Sequence, residues 1–237
     1  MAKILFLHHS TGRVIWDGGV KALLEQHNRT SGTHHAIEES SFPKREPYGW
    51  RNYPYDYWNI WVNHAGTAPW QEEPTLEMLA PGYDLIIFKH CFPVSNIEAD
   101  TGAPDVASSR KSLENYRLQY TALGTKLRSF PGTKFLAWAP AVQVEAETTP
   151  DQARRTREFR DWMIETWDAP GDNLFVWDFY ELETEGGLYL KAEYAAALDD
   201  SHPTGDFART VAPLFVNRIL DVLAGRADAT SITGRQR

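Results

Sequence analysis

Ser10 stands where an apolar run of strand length stops: Lys3-Ile4-Leu5-Phe6-Leu7 gives way to His8-His9-Ser10-Thr11-Gly12. A hydroxyl at the end of a buried strand, ahead of a flexible turn, is where α/β proteins place nucleophiles and ligands. Such a hydroxyl is a weak nucleophile until a base takes its proton and a third group orients that base. The base candidate lies at the far end of the chain, in Leu198-Asp199-Asp200-Ser201-His202-Pro203. If that stretch is a tight loop, Asp199 reaches His202 Nδ1 from three residues upstream and turns Nε2 outward toward Ser10. Asp178, which ends another apolar run, is the rival acid.

Elements that would bring these residues together can be read in order. Apolar runs at 4–7, 84–88, 133–139 and 173–177 predict strands, and 34–41 is a weaker strand candidate. Val20, Leu23, Leu24 and His27 fall at helical spacing, as do Leu113, Tyr116, Tyr120, Leu123 and Leu127. Thr149-Pro150-Asp151-Gln152 has the pattern of a helix start, and a last helix follows a Thr204 cap. Residues 44–70 read as a long irregular stretch rich in Tyr and Trp, either packed on the domain or lining a pocket.

Short apolar strands alternating with helices imply a mostly parallel sheet covered on both faces. The fold class expected is therefore α/β: a single three-layer, doubly wound domain over 1–224, with a polar tail over 225–237 that would fray. In such a sheet every strand's carboxyl end lies on one edge. That edge would gather Ser10, residues 89–96 and 139–143, Asp178 and the loop of His202.

With these residues placed, the chain resembles the SGNH (GDSL-like) hydrolase family. That family sets its serine just after the first strand and an Asp-x-x-His shortly before the last helix, in the order Ser10, Asp199, His202. The resemblance spans nearly the whole chain and implies a flavodoxin-like sheet. It also implies a serine esterase or deacylase with no cofactor, working on a small or carbohydrate-linked ester through an acyl-enzyme. His202 would serve as base and then as acid, and Asp199 would hold its tautomer. The oxyanion would be met by the Ser10 and Gly49 N–H groups and the Asn96 amide, with Gly66 the alternative to Gly49. The pattern is departed from in three places. His8-His9 replaces the usual Gly-Asp, the oxyanion glycine has no unambiguous counterpart, and Lys89-His90-Cys91-Phe92-Pro93-Val94-Ser95-Asn96 replaces Gly-x-Asn-Asp. His9, Trp50 and His90 are the candidates for contacting substrate.

Other readings of the same residues remain open. Ser10 also reads as a helix cap, and Asp199 with His202 as a loop ion pair. Trp50 and Trp58, beside Arg51, Asn52 and Asn59, would suit stacking on a sugar in a non-catalytic glycan-binding protein. Seven of the eight histidines lie at or before position 90, which raises a metal-dependent hydrolase, although adjacent strand residues face apart.

The bulk numbers narrow the partners. A formal charge of −8 tilts against nucleic acid and anionic membranes. A hydrophobic fraction of 42% in 237 residues is enough to fill a core. Cys91 is the only cysteine, so no intrachain disulfide forms, which fits a reducing, cytoplasmic setting. The basic-then-apolar start has too short an apolar run for a signal peptide and reads as the first strand. The partner expected is a small-molecule or glycan ester.

Overall fold

In the computed structural model, which describes residues 1–236, the first strand, β1 (Lys3–His8), lies inside a sheet and not at its edge. Helices α1 (Thr11–Asp17) and α2 (Val20–Ser31) follow it and lead to β2 (Ala36–Ser41). Helices α3 (Pro54–Trp58) and α4 (Leu76–Leu79) precede β3 (Leu85–Phe88). Then come α5 (Leu113–Arg128), β4 (Lys134–Trp138), α6 (Pro150–Trp162) and β5 (Leu174–Trp177). The chain closes with α7 (Phe179–Thr184), a hairpin of β6 (Ala195–Ala197) and β7 (Asp200–Pro203), and α8 (Gly205–Leu223).

The five-stranded sheet has the order β2-β1-β3-β4-β5 and is parallel throughout. This is the doubly wound, flavodoxin-like order, in which the chain reverses direction across the sheet after β2. Register runs across the middle as Phe6 to Ile87, Ile87 to Leu136 and Leu136 to Phe175.

Alternation along each strand divides the core in two. Ile4 and Phe6 face α1, α2 and α8, where they pack with Ile15, Leu24 and Phe215. Leu5 and Leu7 face the other layer, with Tyr57, Trp61 and Tyr120. Burying each such side chain contributes roughly 1.5–3 kcal/mol. Helix α1 packs closely on α8: a Cβ at Gly18 would fall 2.6 Å from the Ala208 carbonyl oxygen.

Local signals explain the helix ends. Thr149 Oγ1 accepts the Gln152 N–H, and Gln152 Oε1 accepts the Thr149 N–H, which closes a capping box at α6. Thr204 Oγ1 caps α8 by accepting the Phe207 N–H at 3.2 Å.

Two stretches differ from the sequence reading. Residues 44–70 are not wholly irregular, because Pro54 starts α3 and a wider π turn carries it on through Asn63. Tyr53, Tyr57 and Trp61 recur every four residues and are all buried, but the density of aromatics around them hides that period. The Asp56 carboxylate holds the approach to α3 by accepting the N–H groups of Arg51 at 2.6 Å and Asn52 at 2.7 Å. Burial nevertheless pushes its pKa up to about 7.

The tail after α8 does not fray over its described residues. Ile232 accepts the Asp178 N–H at 2.9 Å, Thr233 accepts the Trp177 indole N–H at 3.0 Å, and Gly234 accepts the Asn217 amide at 3.1 Å. The polar side chains of this segment misled the reading; its backbone carbonyls hold it.

Asp178 is spent on structure and not on an imidazole. It is 1% exposed, accepts from both Nε and Nη2 of Arg160, and caps α7 through the Glu181 N–H. Arg160 is only partly buried and keeps Asp161 as a partner, so the loss falls mainly on the α7 cap and the Asp178 bonds. Asp178→Ala is therefore expected to lower stability by about 1–2 kcal/mol, read from urea unfolding.

Candidate functional site

The turn after β1 is forced by three things. Gly12 N–H bonds back to the His9 carbonyl at 2.8 Å. Any side chain at Gly12 would meet His8, since a Cβ there would lie 2.4 Å from His8 Cβ. Ser10 is left at φ 43°, ψ −105°, in the left-handed half of backbone space that a β-carbon disfavours. It occupies the cap position of α1, yet its side chain makes no capping bond.

The hydroxyl bonds instead across 192 residues, with Ser10 Oγ lying 2.5 Å from His202 Nε2. His202 Nδ1 is 2.6 Å from Asp200 Oδ1, and the same oxygen accepts the His202 backbone N–H at 2.9 Å. Those contacts, backbone first and imidazole second, hold the Asp200 carboxyl below its usual pKa. With Asp200 ionised, Nδ1 carries the proton, so Nε2 is free to accept from Ser10. The ring of Phe92 stands perpendicular to the imidazole at 4.9 Å and limits its rotation.

The acid partner is thus Asp200, whereas the sequence reading chose Asp199. The reason is secondary structure. Residues 200–203 form a strand, where side chains two apart share a face, so Asp200 and His202 point the same way. Asp199 sits at the hairpin tip, exposed and without a hydrogen bond to His202. The hairpin is pinned where it matters: Ser201 Oγ accepts the Val144 N–H at 3.0 Å, and Tyr194 accepts the Thr204 N–H at 2.7 Å. Asp200-x-His202 on a short strand was the available signal.

The expected oxyanion donors fare unequally. Ser10 N–H has no acceptor among the described residues. Gly49 N–H is committed to the Arg45 carbonyl at 2.5 Å, within a local turn. The Asn96 amide donates to the Glu147 carbonyl at 3.1 Å. Gly49 therefore presents no free N–H, whereas Asn96 is anchored through one of its two amide N–H groups.

The expected substrate contacts also change. His90 is buried and hydrogen-bonded to Tyr120 Oη at 2.5 Å, which places it in the core. Trp50 is only 8% exposed, and Trp58 is buried too, so neither offers a face to a sugar. His9 is half-buried with Nε2 held by the Pro43 carbonyl. His8 bonds Glu39 at 2.7 Å. Among the described residues, no three His, Cys, Asp or Glu side chains converge on a point where a metal would sit.

The assembly is a doubly wound α/β domain carrying a serine–histidine–aspartate chain of hydrogen bonds at the carboxyl edge of its sheet. No family model and no curated protein sequence matches the chain. Among solved structures, an acetyl xylan esterase is similar to it, with a TM-score of 0.51 and 15% identity over 89% of this chain and 96% of that one. At that identity the likeness is one of fold. No helix among the described residues is long and apolar enough to cross a membrane.

Two expectations follow. Ser10→Gly removes the β-carbon from a left-handed residue and is expected to raise stability by about 1 kcal/mol in urea unfolding, less any contribution from the His202 contact. The second concerns acid. Burial, then Lys89, pushes both His8 and His90 down from 6.5 to about 3. The unfolded chain takes up protons on these rings near pH 6.5, while the native chain refuses them until about pH 3. Stability from this source is full above 6.5 and falls as pH drops toward 3. Buried carboxylates such as Asp56, whose pKa is raised, act in the opposite sense, so the test is a difference: between pH 6.5 and 3 the urea midpoint of His90→Gln should fall relative to wild type less steeply by about one proton's worth.

Proposed function

We propose that the protein is an ester hydrolase of the SGNH type, with Ser10 as nucleophile, His202 as general base and then acid, and Asp200 as the group that fixes the imidazole. The observation that carries this reading is the Ser10–His202–Asp200 hydrogen-bond chain, built on a serine of strained backbone whose side chain makes no cap bond. A strained residue with a partnered hydroxyl at the sheet's carboxyl edge is more than a helix start requires. The fold likeness to an acetyl xylan esterase supports the same reaction class.

In this reading Ser10 Oγ attacks an ester carbonyl as His202 Nε2 takes its proton. The alcohol leaves with that proton, and water attacks the acyl-enzyme by the same route in reverse. The Ser10 N–H meets the developing oxyanion. His202 and Asp200 side chains are 40% and 45% exposed, an openness that suits an ester on a bulky carrier such as a glycan. The reaction so written needs no cofactor.

The test is turnover of an aryl acetate together with labelling by a fluorophosphonate. Ser10→Ala should abolish both. Asp200→Asn should lower kcat by on the order of 10³–10⁴, while Asp199→Asn should stay close to wild type. A folded wild type that neither turns over the ester nor takes the label overturns the proposal, and an Asp199→Asn defect without an Asp200→Asn defect overturns the acid's assignment.

A further inference from the structure

Lys89 is 1% exposed, at the carboxyl end of β3, directly beneath the turn that carries Ser10. Its backbone is fixed by the Tyr57 hydroxyl, which donates to the Lys89 carbonyl at 3.0 Å. Its Nζ donates to the His9 carbonyl at 3.2 Å and lies 3.8 Å from Cys91 Sγ. Burying a lysine is costly, and an apolar side chain of the same length would fill the space more cheaply. Nor does the His9 carbonyl need it for satisfaction, because the Gly12 N–H already bonds that oxygen at 2.8 Å.

The His9 carbonyl belongs to the same peptide group as the Ser10 N–H. In a trans peptide the two point in opposite directions. A donor that holds the oxygen from inside the fold therefore aims the N–H outward, and that N–H has no acceptor among the described residues. A second donor on the amide oxygen also polarises the group, because successive hydrogen bonds through an amide strengthen one another. Glu183, also buried, balances Lys89 through space and not by an ion pair: its Oε2 accepts the Val142 N–H at 2.8 Å and its Oε1 has no partner among the described residues. Desolvation pushes the Lys89 pKa down and the Glu183 pKa up, so the fold carries this pair at a cost.

We infer that Lys89 is a positioning residue for the oxyanion donor: through the His9 carbonyl it aims and polarises the Ser10 N–H. The inference rests on the ester-hydrolase reading and assigns to Lys89 a role that Asn96 and Gly49 do not fill. Lys89 touches neither substrate nor the reacting atoms, and its effect reaches them through one peptide group.

The experiment compares wild type with Lys89→Met, which keeps the length and removes the donor, using an aryl acetate and a trifluoromethyl ketone that forms a tetrahedral adduct. Expected are a kcat lower by about ten- to a hundredfold, less than the 10²–10³ of losing an oxyanion donor outright, with KM within about twofold. The ketone's affinity should fall in parallel with kcat. If Lys89→Met does not fold, Lys89→Met/Glu183→Gln removes both members of the pair and carries the same expectation. A folded variant of either kind with wild-type kcat and ketone affinity overturns the inference while leaving the hydrolase reading intact. A loss of KM and kcat together, with ketone affinity unchanged relative to substrate, assigns Lys89 to packing alone and also overturns it. A wild type inert toward the ester and unlabelled by fluorophosphonate removes the reading on which both rest.

Discussion

A hydrogen bond from Ser10 Oγ to His202 Nε2 spans 192 residues, and its 2.5 Å length depends on elements far from either residue. β1 must lie inside the sheet for its end to be rigid, and it does, bonded to β2 on one side and β3 on the other. The hairpin must stand over that end, and the Ser201–Val144 bond ties it to the segment leaving β4. Helix α8 must begin beside it, and the Gly18–Ala208 approach sets how closely α1 and α8 meet. No interaction in this set is strong alone. Their effect is to leave few ways for serine and histidine to be apart.

Much of this was legible in the sequence because it rests on patterns of burial. Strands such as 85–88 and 174–177 are buried on both faces, so their apolar runs are continuous and hard to misread. Capping at Thr149 and Thr204 is local chemistry that residue types alone announce. Ser10 and His202 could be paired because parallel sheets collect strand ends on one edge. The miss at Asp199 came from taking a two-residue strand period for a loop, a distinction that four residues of sequence do not carry. What Gly49, Asn96, Trp50 and His90 do was not legible for a related reason: residue type indicates what a group can do, while the folded chain decides its burial, as at Trp50, and its hydrogen-bond partner, be it Arg45 in a local turn or Glu147 and Tyr120 across the fold.

The pair His8-His9 also finds its explanation in packing. His8 fills the space under the turn, its ring 4.3 Å from Phe6 and its Nε2 on Glu39 of β2. Its β-carbon, and the ring beyond it, leave no room at position 12 for anything larger than glycine. His9 ties the same turn to Pro43. The two histidines therefore hold the Ser10 turn from below and from the side.

The separation of 192 residues between Ser10 and His202 has a consequence for synthesis. The strand that ends at Ser10 is made well before the hairpin that carries Asp200 and His202. A growing chain can pair β1 with β2 and then β3 while the hairpin is still unmade. Through that interval Ser10 has no histidine partner. The Ser10–His202 bond forms only once the β6–β7 hairpin docks, so on the proposed reading nucleophilic reactivity would report the docking of that hairpin and not the pairing of the first strands.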